Sequence, residues 1–237
     1  MTSDHCTRAE CWSVMGRMTS LRTSKELTSR PPLWRRPLKI IRENKRAYLI
    51  INLATYGLAI IGFLIGLAFP ALSVAKVTGL QENGTEAMVV WLINIPPLFA
   101  LVILAVNVFQ LSLLTIVLPS LVVPFAGLAF FGYWAVQTGI TLAPGTPEGW
   151  VSLIPHSLTF VIELQAYVIV ALGTYRLGSN WLFPRSVGAP NRRRGYLQGL
   201  KQLGLLALPA LALLIIGAVW EAYSLRYFVY PLQQLLL

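Results

Sequence analysis

Three ionisable side chains lie in or beside long apolar stretches of this sequence. His156 and Glu163 belong to the stretch IPHSLTFVIELQAYVIVALGTYRLG, and Glu221 follows the apolar run LGLLALPALALLIIGAVW. Ionisable groups are costly in hydrocarbon, so they usually face the interior of a helix bundle and pair with one another. His156 and Glu163 are seven residues apart, which puts them about two helical turns apart on nearly the same face. The three residues therefore form a candidate functional polar cluster.

Three kinds of chemistry fit these residue types. The groups could be hydrogen-bonded packing elements, with Glu163 holding its proton as a donor; they could handle protons or ions in a transport pathway; or they could form a His/Glu/Glu metal site. Such a metal site would leave room for a metal-dependent intramembrane enzyme, but no HExxH spacing supports it. The predicted extramembrane segments are also too short for a catalytic domain. We therefore predict a protein that is not an enzyme, with no catalytic residues, no bound metal and no cofactor.

The composition is that of a membrane protein. Of the 237 residues, 56% are hydrophobic and only 12% are charged. The excess of 19 Lys and Arg over 9 Asp and Glu is concentrated in two blocks, at 1–46 and 176–201, that flank apolar runs. Basic blocks in that position favour membrane lipids over nucleic acid as the partner.

Long apolar runs predict an all-α, polytopic transmembrane helix bundle, since about 20 apolar residues are needed for each span. Residues 1–46 are expected to be a disordered cytoplasmic tail, and 47–237 a single transmembrane domain. The uncharged run 88–136 is too long for one span, so a turn is expected where Asn107, Gln110 and Ser112 interrupt it; a re-entrant hairpin is the alternative. The five expected spans are about 48–72, 89–109, 113–136, 154–175 and 203–225.

The basic residues predict the orientation of these five spans. If residues 1–46 are cytoplasmic, then 110–112 and 178–202 are as well. With Arg176 at the exit of span four, 17 of the 19 basic residues then lie on that side. Lys76 and Arg226 are the two on the outer side. The positive-inside rule therefore predicts a cytoplasmic N-terminus and an outer C-terminus, with the polar cluster in the outer half of the membrane. The expected topology anchors are Arg176, Arg192, Arg193 and Arg194.

Several short motifs resemble the stage II sporulation protein M family of bacterial membrane proteins. PHSLTFVIE (155–163) is similar to the family's Pro-His-Gly opening, with Ser157 in place of Gly, and GTYRLG (173–178) to its Gly-x-Arg-x-Gly ending. WEAYSLRYFVYPL (220–232) looks like its second acidic motif, and NLATYGLAIIGFLIGL (52–67) suits its first span. The resemblance covers spans one, four and five.

This resemblance implies a multi-pass scaffold in the bacterial plasma membrane that binds or localises other membrane or envelope proteins during cell-envelope remodelling. A cell-wall hydrolase and an ATPase are the partners it suggests, and oligomerisation is left open. It gives functional interest to His156, Glu163 and Glu221, with Arg176 at the cytoplasmic end of span four. The alternative expectation is a permease-like transporter subunit with Glu163 in a proton or ion pathway.

Overall fold

The computed structural model describes residues 35–236, apart from the side chain of Tyr230, and all of its regular elements are helical. The chain divides into two units, Met1–Lys39 and Ile40–Leu237; of the first, the described residues form only the start of helix α1. The elements are α1 (Arg35–Glu43), α2 (Lys45–Ala68), α3 (Pro70–Glu82), α4 (Thr85–Leu92), α5 (Pro96–Ala105), a π-helical segment (Val106–Val117), α6 (Leu118–Val122), α7 (Ala126–Leu142), α8 (Pro147–Leu182), a 3-10 turn (Pro184–Val187), α9 (Arg192–Tyr227) and α10 (Val229–Leu236).

Four of these helical stretches are long and apolar enough to cross a membrane. They are Lys45–Ala68, Pro96–Val122, Pro147–Leu182 and Arg192–Tyr227. A further apolar helix, α7, has 17 residues and is slightly shorter than a typical span. The chain is thus a helical protein whose long helices fit a membrane.

The turn predicted at Asn107, Gln110 and Ser112 is wrong, because α5, the π-helical segment and α6 form one continuous helix. Polar side chains in this helix bond to its own backbone. The Ser112 hydroxyl donates to the carbonyl of Asn107 at 2.8 Å, and the Thr115 hydroxyl donates to that of Gln110 at 2.9 Å. Both bonds reach back five residues, the spacing of a π-helix. The polar residues are accommodated in the helix and do not end it.

The chain reverses direction further on, at residues 123–125. Val123 is extended, as expected for the residue before Pro124, and Phe125 has a positive φ of 68°. The Phe125 ring packs against Tyr175, with ring centroids 5.9 Å apart. The chain reversal expected between spans 89–109 and 113–136 therefore lies about three helical turns further along the chain.

Most of the other segments expected to be loops are also helical. Between the expected spans 48–72 and 89–109, helices α3 and α4 occupy most of the chain. Between the expected spans 113–136 and 154–175, only residues 143–146 are not helical. Prolines begin α3, α5 and α8, at positions where a helix needs no backbone donor. Residues 1–34 of the expected disordered tail lie outside the described residues, but the tail's remainder is helical from Arg35. The prolines and charged residues of these segments lie at the starts of helices, whereas the sequence had indicated loops there.

The long helices alternate in direction along the bundle. Gly62 packs against the backbone of Val136, and Gly66 against Ile140, so α2 and α7 are parallel. Gly173 lies against Leu203, and Gly199 against Leu177, so α8 and α9 are antiparallel. The five passes place Lys45, Phe125 and Arg192 at one end of the bundle, here called the basic end.

Helix α8 is the centre of the bundle. In the most apolar 18-residue stretch of α8, 61% of the residues are buried, against 17–33% in the corresponding stretches of the other three long helices. Leu164, Tyr167 and Leu172 of α8 are almost completely buried in the main core. Because α8 contacts α2, the π-helical segment and α9, its polar side chains are positioned by several neighbours at once.

The close contact of α2 with α7 gives a first testable prediction. A Cβ atom at Gly139 would meet the backbone of Ala59 and Phe63, whereas one at Gly57 would meet nothing within 4 Å. We expect Gly139→Ala to destabilise the protein by about 1–3 kcal/mol, as overpacked sites do. Gly57→Ala is the matched control and should leave the thermal midpoint in detergent unchanged or slightly higher. Equal midpoints for the two variants would contradict this packing.

Candidate functional site

The structure brings His156 of α8 next to Glu221 of α9. The distance between His156 Nδ1 and Glu221 Oε1 is 3.7 Å, which is an ion-pair distance if the imidazole is protonated. The neighbouring residues hold this register, because the Trp220 indole N–H donates to the Pro155 carbonyl at 3.2 Å. The packing of these two antiparallel helices therefore brings His156 and Glu221 together.

Glu163 is held by a residue of the π-helical segment. The Asn107 amide donates to Glu163 Oε1 at 2.5 Å. Gly217 of α9 leaves the space for this side chain, since a Cβ atom there would lie 3.1 Å from Glu163 Cγ. Three elements, α8, α9 and the π-helical segment, thus meet at the Glu163 carboxyl group.

The two carboxyl groups belong to one electrostatic environment. Glu163 contacts Gly217 of α9, and Gly217 and Glu221 are one turn apart on that helix, so the two carboxyl groups are neighbours. Tyr167 is one turn from Glu163 on α8. Tyr167 itself is only 1% exposed. The structure therefore links His156 to Glu163 through Glu221, and the two residues that share a face of α8 form no direct bond.

This cluster does not form a metal site. Among residues 35–236 no group of three or more His, Cys, Asp or Glu side chains is placed so that it could hold a metal ion. One carboxylate faces an imidazole and the other accepts from an amide. The arrangement fits proton transfer or hydrogen-bonded packing better than the His/Glu/Glu metal chemistry considered from the sequence.

A second polar network, which the sequence interpretation missed, joins α2 to α8. The Tyr48 hydroxyl donates to Gln165 Oε1 at 2.8 Å, and Gln165 Nε2 donates to Asn52 Oδ1 at 2.8 Å and to the Tyr56 hydroxyl at 3.0 Å. Tyr48, Asn52 and Tyr56 recur every four residues, so they line one face of α2. That spacing is the signal that could have identified them.

Arg176 bonds to the neighbouring helix near the basic end. Its Nε donates to Gln202 Oε1 at 3.1 Å, and the fully buried Asn180 donates to the same oxygen at 3.3 Å. Arg192, Arg193 and Arg194 form the first turn of α9, where the Asn191 side chain caps the helix by accepting from Arg194 N at 2.9 Å. The predicted anchors therefore lie towards one end of the α8–α9 pair, and Arg176 also joins the two helices.

His156 connects the cluster to open space. It lines a cavity of about 740 Å³ whose wall is built mainly from α3, α7, α8 and the residues between α7 and α8, with the end of α2 and Leu225 of α9 completing it. Since His156 also faces Glu221, the imidazole lies between this cavity and the carboxyl groups.

The chain matches no protein-family model, no curated protein and no solved structure.

The bond between Asn107 and Glu163 gives a second testable prediction. We expect a double-mutant cycle of Asn107→Ala and Glu163→Ala, measured by unfolding in detergent, to give a coupling of about 0.5–2 kcal/mol, the range for side-chain hydrogen bonds between membrane helices. Gln110 provides the matched control, because it lies in the same π-helical segment and has no bond to Glu163. The cycle of Gln110→Ala with Glu163→Ala should give no coupling, and similar values from both cycles would argue against the bond.

Proposed function

We propose that this chain is a five-span protein of the bacterial plasma membrane with its N-terminus in the cytoplasm and its C-terminus outside. The five alternating passes support this count when α7 is included as a short span. Arg42, Lys45 and Arg46 begin the first pass, and the run 192–194 begins the last, so these basic residues are at the same end. Lys76 follows the end of the first outward pass, and Arg226 lies in the last turn of the final one. This asymmetry is the one that the positive-inside rule requires.

Within that membrane protein, we propose a scaffold function like that of the stage II sporulation protein M family. The observation that carries this proposal is Gln110, which lies in the middle of the apolar helix Pro96–Val122. Its side chain is exposed, and within residues 35–236 its amide forms no hydrogen bond. An amide facing hydrocarbon with its donors and acceptor unsatisfied is unfavourable. A helix of another protein would satisfy it.

A groove beside Gln110 strengthens this inference. It has a volume of about 420 Å³ and is lined by the π-helical segment, α6 and α7, including Leu114, Trp134 and Gln137. The side-chain amide of Gln137 has no hydrogen bond to the described part of the chain either. Gly127 packs on Ile116 in this antiparallel pair, and counting from that contact puts Gln137 within about a turn of the level of Gln110. One unsatisfied amide, that of Gln137, therefore lines the groove, and that of Gln110 lies about one turn before its lining residue Leu114.

The partner that fits this groove is a transmembrane helix carrying polar side chains. Interhelical hydrogen bonds from Gln, Asn, Ser and Thr are the usual polar contacts between membrane helices. The resemblance suggests that the helix belongs to a membrane or envelope protein, such as the anchor of a cell-wall hydrolase or a subunit working with an ATPase. In this proposal the protein is not an enzyme and acts by holding its partner in place.

A third prediction tests the groove as a partner site. A photo-cross-linking residue at Leu114, which is 57% exposed, should give a discrete product in native membranes. An interhelical hydrogen bond of about 1 kcal/mol implies that Gln110→Leu lowers the yield roughly fivefold. The matched control is Phe109→Leu, an exposed neighbour with no polar group, which should preserve the yield. Equal yields from both variants would refute a role for the Gln110 amide.

A second candidate function is a proton or ion pathway, and the placement of His156 favours it. The imidazole lines the 740 Å³ cavity and faces Glu221, which in turn interacts with Glu163. Groups that can exchange protons thus extend from a cavity into the centre of the bundle. Chains of His, Asp and Glu inside membranes are the usual components of proton relays.

A fourth prediction separates this function from scaffolding. If Glu163 carries protons, Glu163→Gln should lower proton flux into protein-containing vesicles by at least about tenfold, since a Gln side chain cannot take up and release a proton as a carboxyl group does. Glu148→Gln is the control, because Glu148 is exposed at the start of the same helix. A pH-sensitive dye inside the vesicles measures the flux. Equal flux in the wild type and Glu163→Gln would leave the carboxyl with a packing role.

A further inference from the structure

Two cavities meet at His156. The smaller has a volume of about 200 Å³ and lies between α2, α7 and α8, while the larger is the 740 Å³ cavity described above. Leu142, Leu153 and His156 line both of them. Their walls are therefore shared, and a molecule of sufficient length can occupy both.

The smaller cavity offers hydrocarbon contacts. Its polar hydroxyls are already engaged: Tyr56 bonds to Gln165 and Val161, and Ser157 donates to the carbonyl of Ile154 at 2.8 Å. Ile60 on its rim is 57% exposed, so the cavity opens on the side of the bundle. A lateral apolar opening in a membrane protein is accessible to a lipid chain.

The larger cavity is mostly apolar, but several polar groups lie in its wall, and it has no charged lining residue. Ser, Thr and Gln side chains contribute to its wall, and neither cavity is lined by Lys, Arg, Asp or Glu. The Thr78 and Gln81 side chains have no hydrogen-bond partner in the described part of the chain. Its volume lies in the range of about 300–1,000 Å³ that is usual for small-molecule sites. This cavity can thus bind a polar group that carries no net charge.

His156 supplies a polar contact at the junction. Its Nδ1 faces Glu221 at 3.7 Å, and within residues 35–236 its Nε2 forms no hydrogen bond. The ring nitrogen that is not engaged by Glu221 is therefore left for a ligand in the cavities.

We propose that the joined cavities bind an uncharged lipid with a hydroxyl-bearing headgroup. One acyl chain occupies the smaller, apolar cavity, and the headgroup lies in the larger cavity beside its polar residues Thr78, Gln81 and His156. A lipid phosphate fits less well, because its charge would be partly desolvated with no Lys or Arg in the wall to compensate it. The site includes neither Glu163 nor the groove at Gln110, but it shares His156 and the larger cavity with the proposed proton pathway. Lipid labelling and proton flux are separate measurements, so the two proposals can fail independently.

The proposal is tested with photoreactive lipids and the full chain in vesicles. The probe is a diacylglycerol with a diazirine at the end of one chain, and the comparison is a phosphatidylglycerol with the same labelled chain. We expect at least fivefold more labelling by the diacylglycerol, with the labelled peptides coming from the walls of the apolar cavity in α2, α7 and α8. Equal labelling by the two probes, or labelling confined to other surfaces, would overturn the proposal.

Variants then locate the lipid. Leu153→Trp fills the junction and should lower diacylglycerol labelling at least fivefold, whereas Leu158→Trp, on the exposed face of the same helix, should leave it unchanged. Thr78→Val removes one headgroup contact from an exposed position of α3 and should lower labelling about threefold without affecting folding. Equal labelling of the Leu153 and Leu158 variants, or no effect of Thr78→Val, would contradict the assigned pose.

Discussion

The structure depends on satisfying the polar side chains of α8 inside an apolar bundle. Three of them bond to three different neighbours: Gln165 to α2, Glu163 to the π-helical segment, and Arg176 to α9. Because an unsatisfied polar group is so unfavourable in hydrocarbon, these bonds restrict the rotation and depth of every surrounding helix. Apolar packing alone would allow helices to slide, since lipid chains and leucine side chains offer similar contacts.

The helical class could be predicted from the sequence, because long uncharged runs have few alternatives in a membrane. The position of the turn after the second long helix could not be predicted. Asn107, Gln110 and Ser112 interrupt an apolar run in the way a turn does. Ser112, however, bonds to the backbone five residues earlier, Asn107 bonds to a distant carboxyl group, and Gln110 is exposed on the helix. Such bonds depend on a π-helical conformation, for which a single sequence contains no reliable signal. Val123–Phe125, where the chain does reverse, contains one proline and no Gly or charge.

The ionisable residues of the candidate site could be predicted from the sequence, but the residues with which they pair could not. His156, Glu163 and Glu221 were identified because ionisable residues in apolar runs are rare. Their pairing was beyond a sequence argument: the helical periodicity placed His156 with Glu163, whereas the packing of α8 on α9 placed it with Glu221. Asn107, 56 residues from Glu163 along the chain, required the three-dimensional arrangement. The unsatisfied amides of Gln110 and Gln137 likewise become informative only when the exposed faces are known.

The π-helical segment also changes which sides of its helix face the neighbours. Its hydrogen bonds span five residues in place of four, so the angular phase of the helix before Val106 is not continued after Val117. As a result, α5 can direct Phe99 and Ala100 towards Ala222 of α9, while Ile116, at the other end of the segment, lies against Gly127 of α7. A uniform α-helix of the same length would have its apolar contacts in a fixed rotational relation. The π-helical segment rotates the helix after Val117 relative to the helix before Val106. One continuous pass can therefore contact two neighbouring helices that lie in different directions.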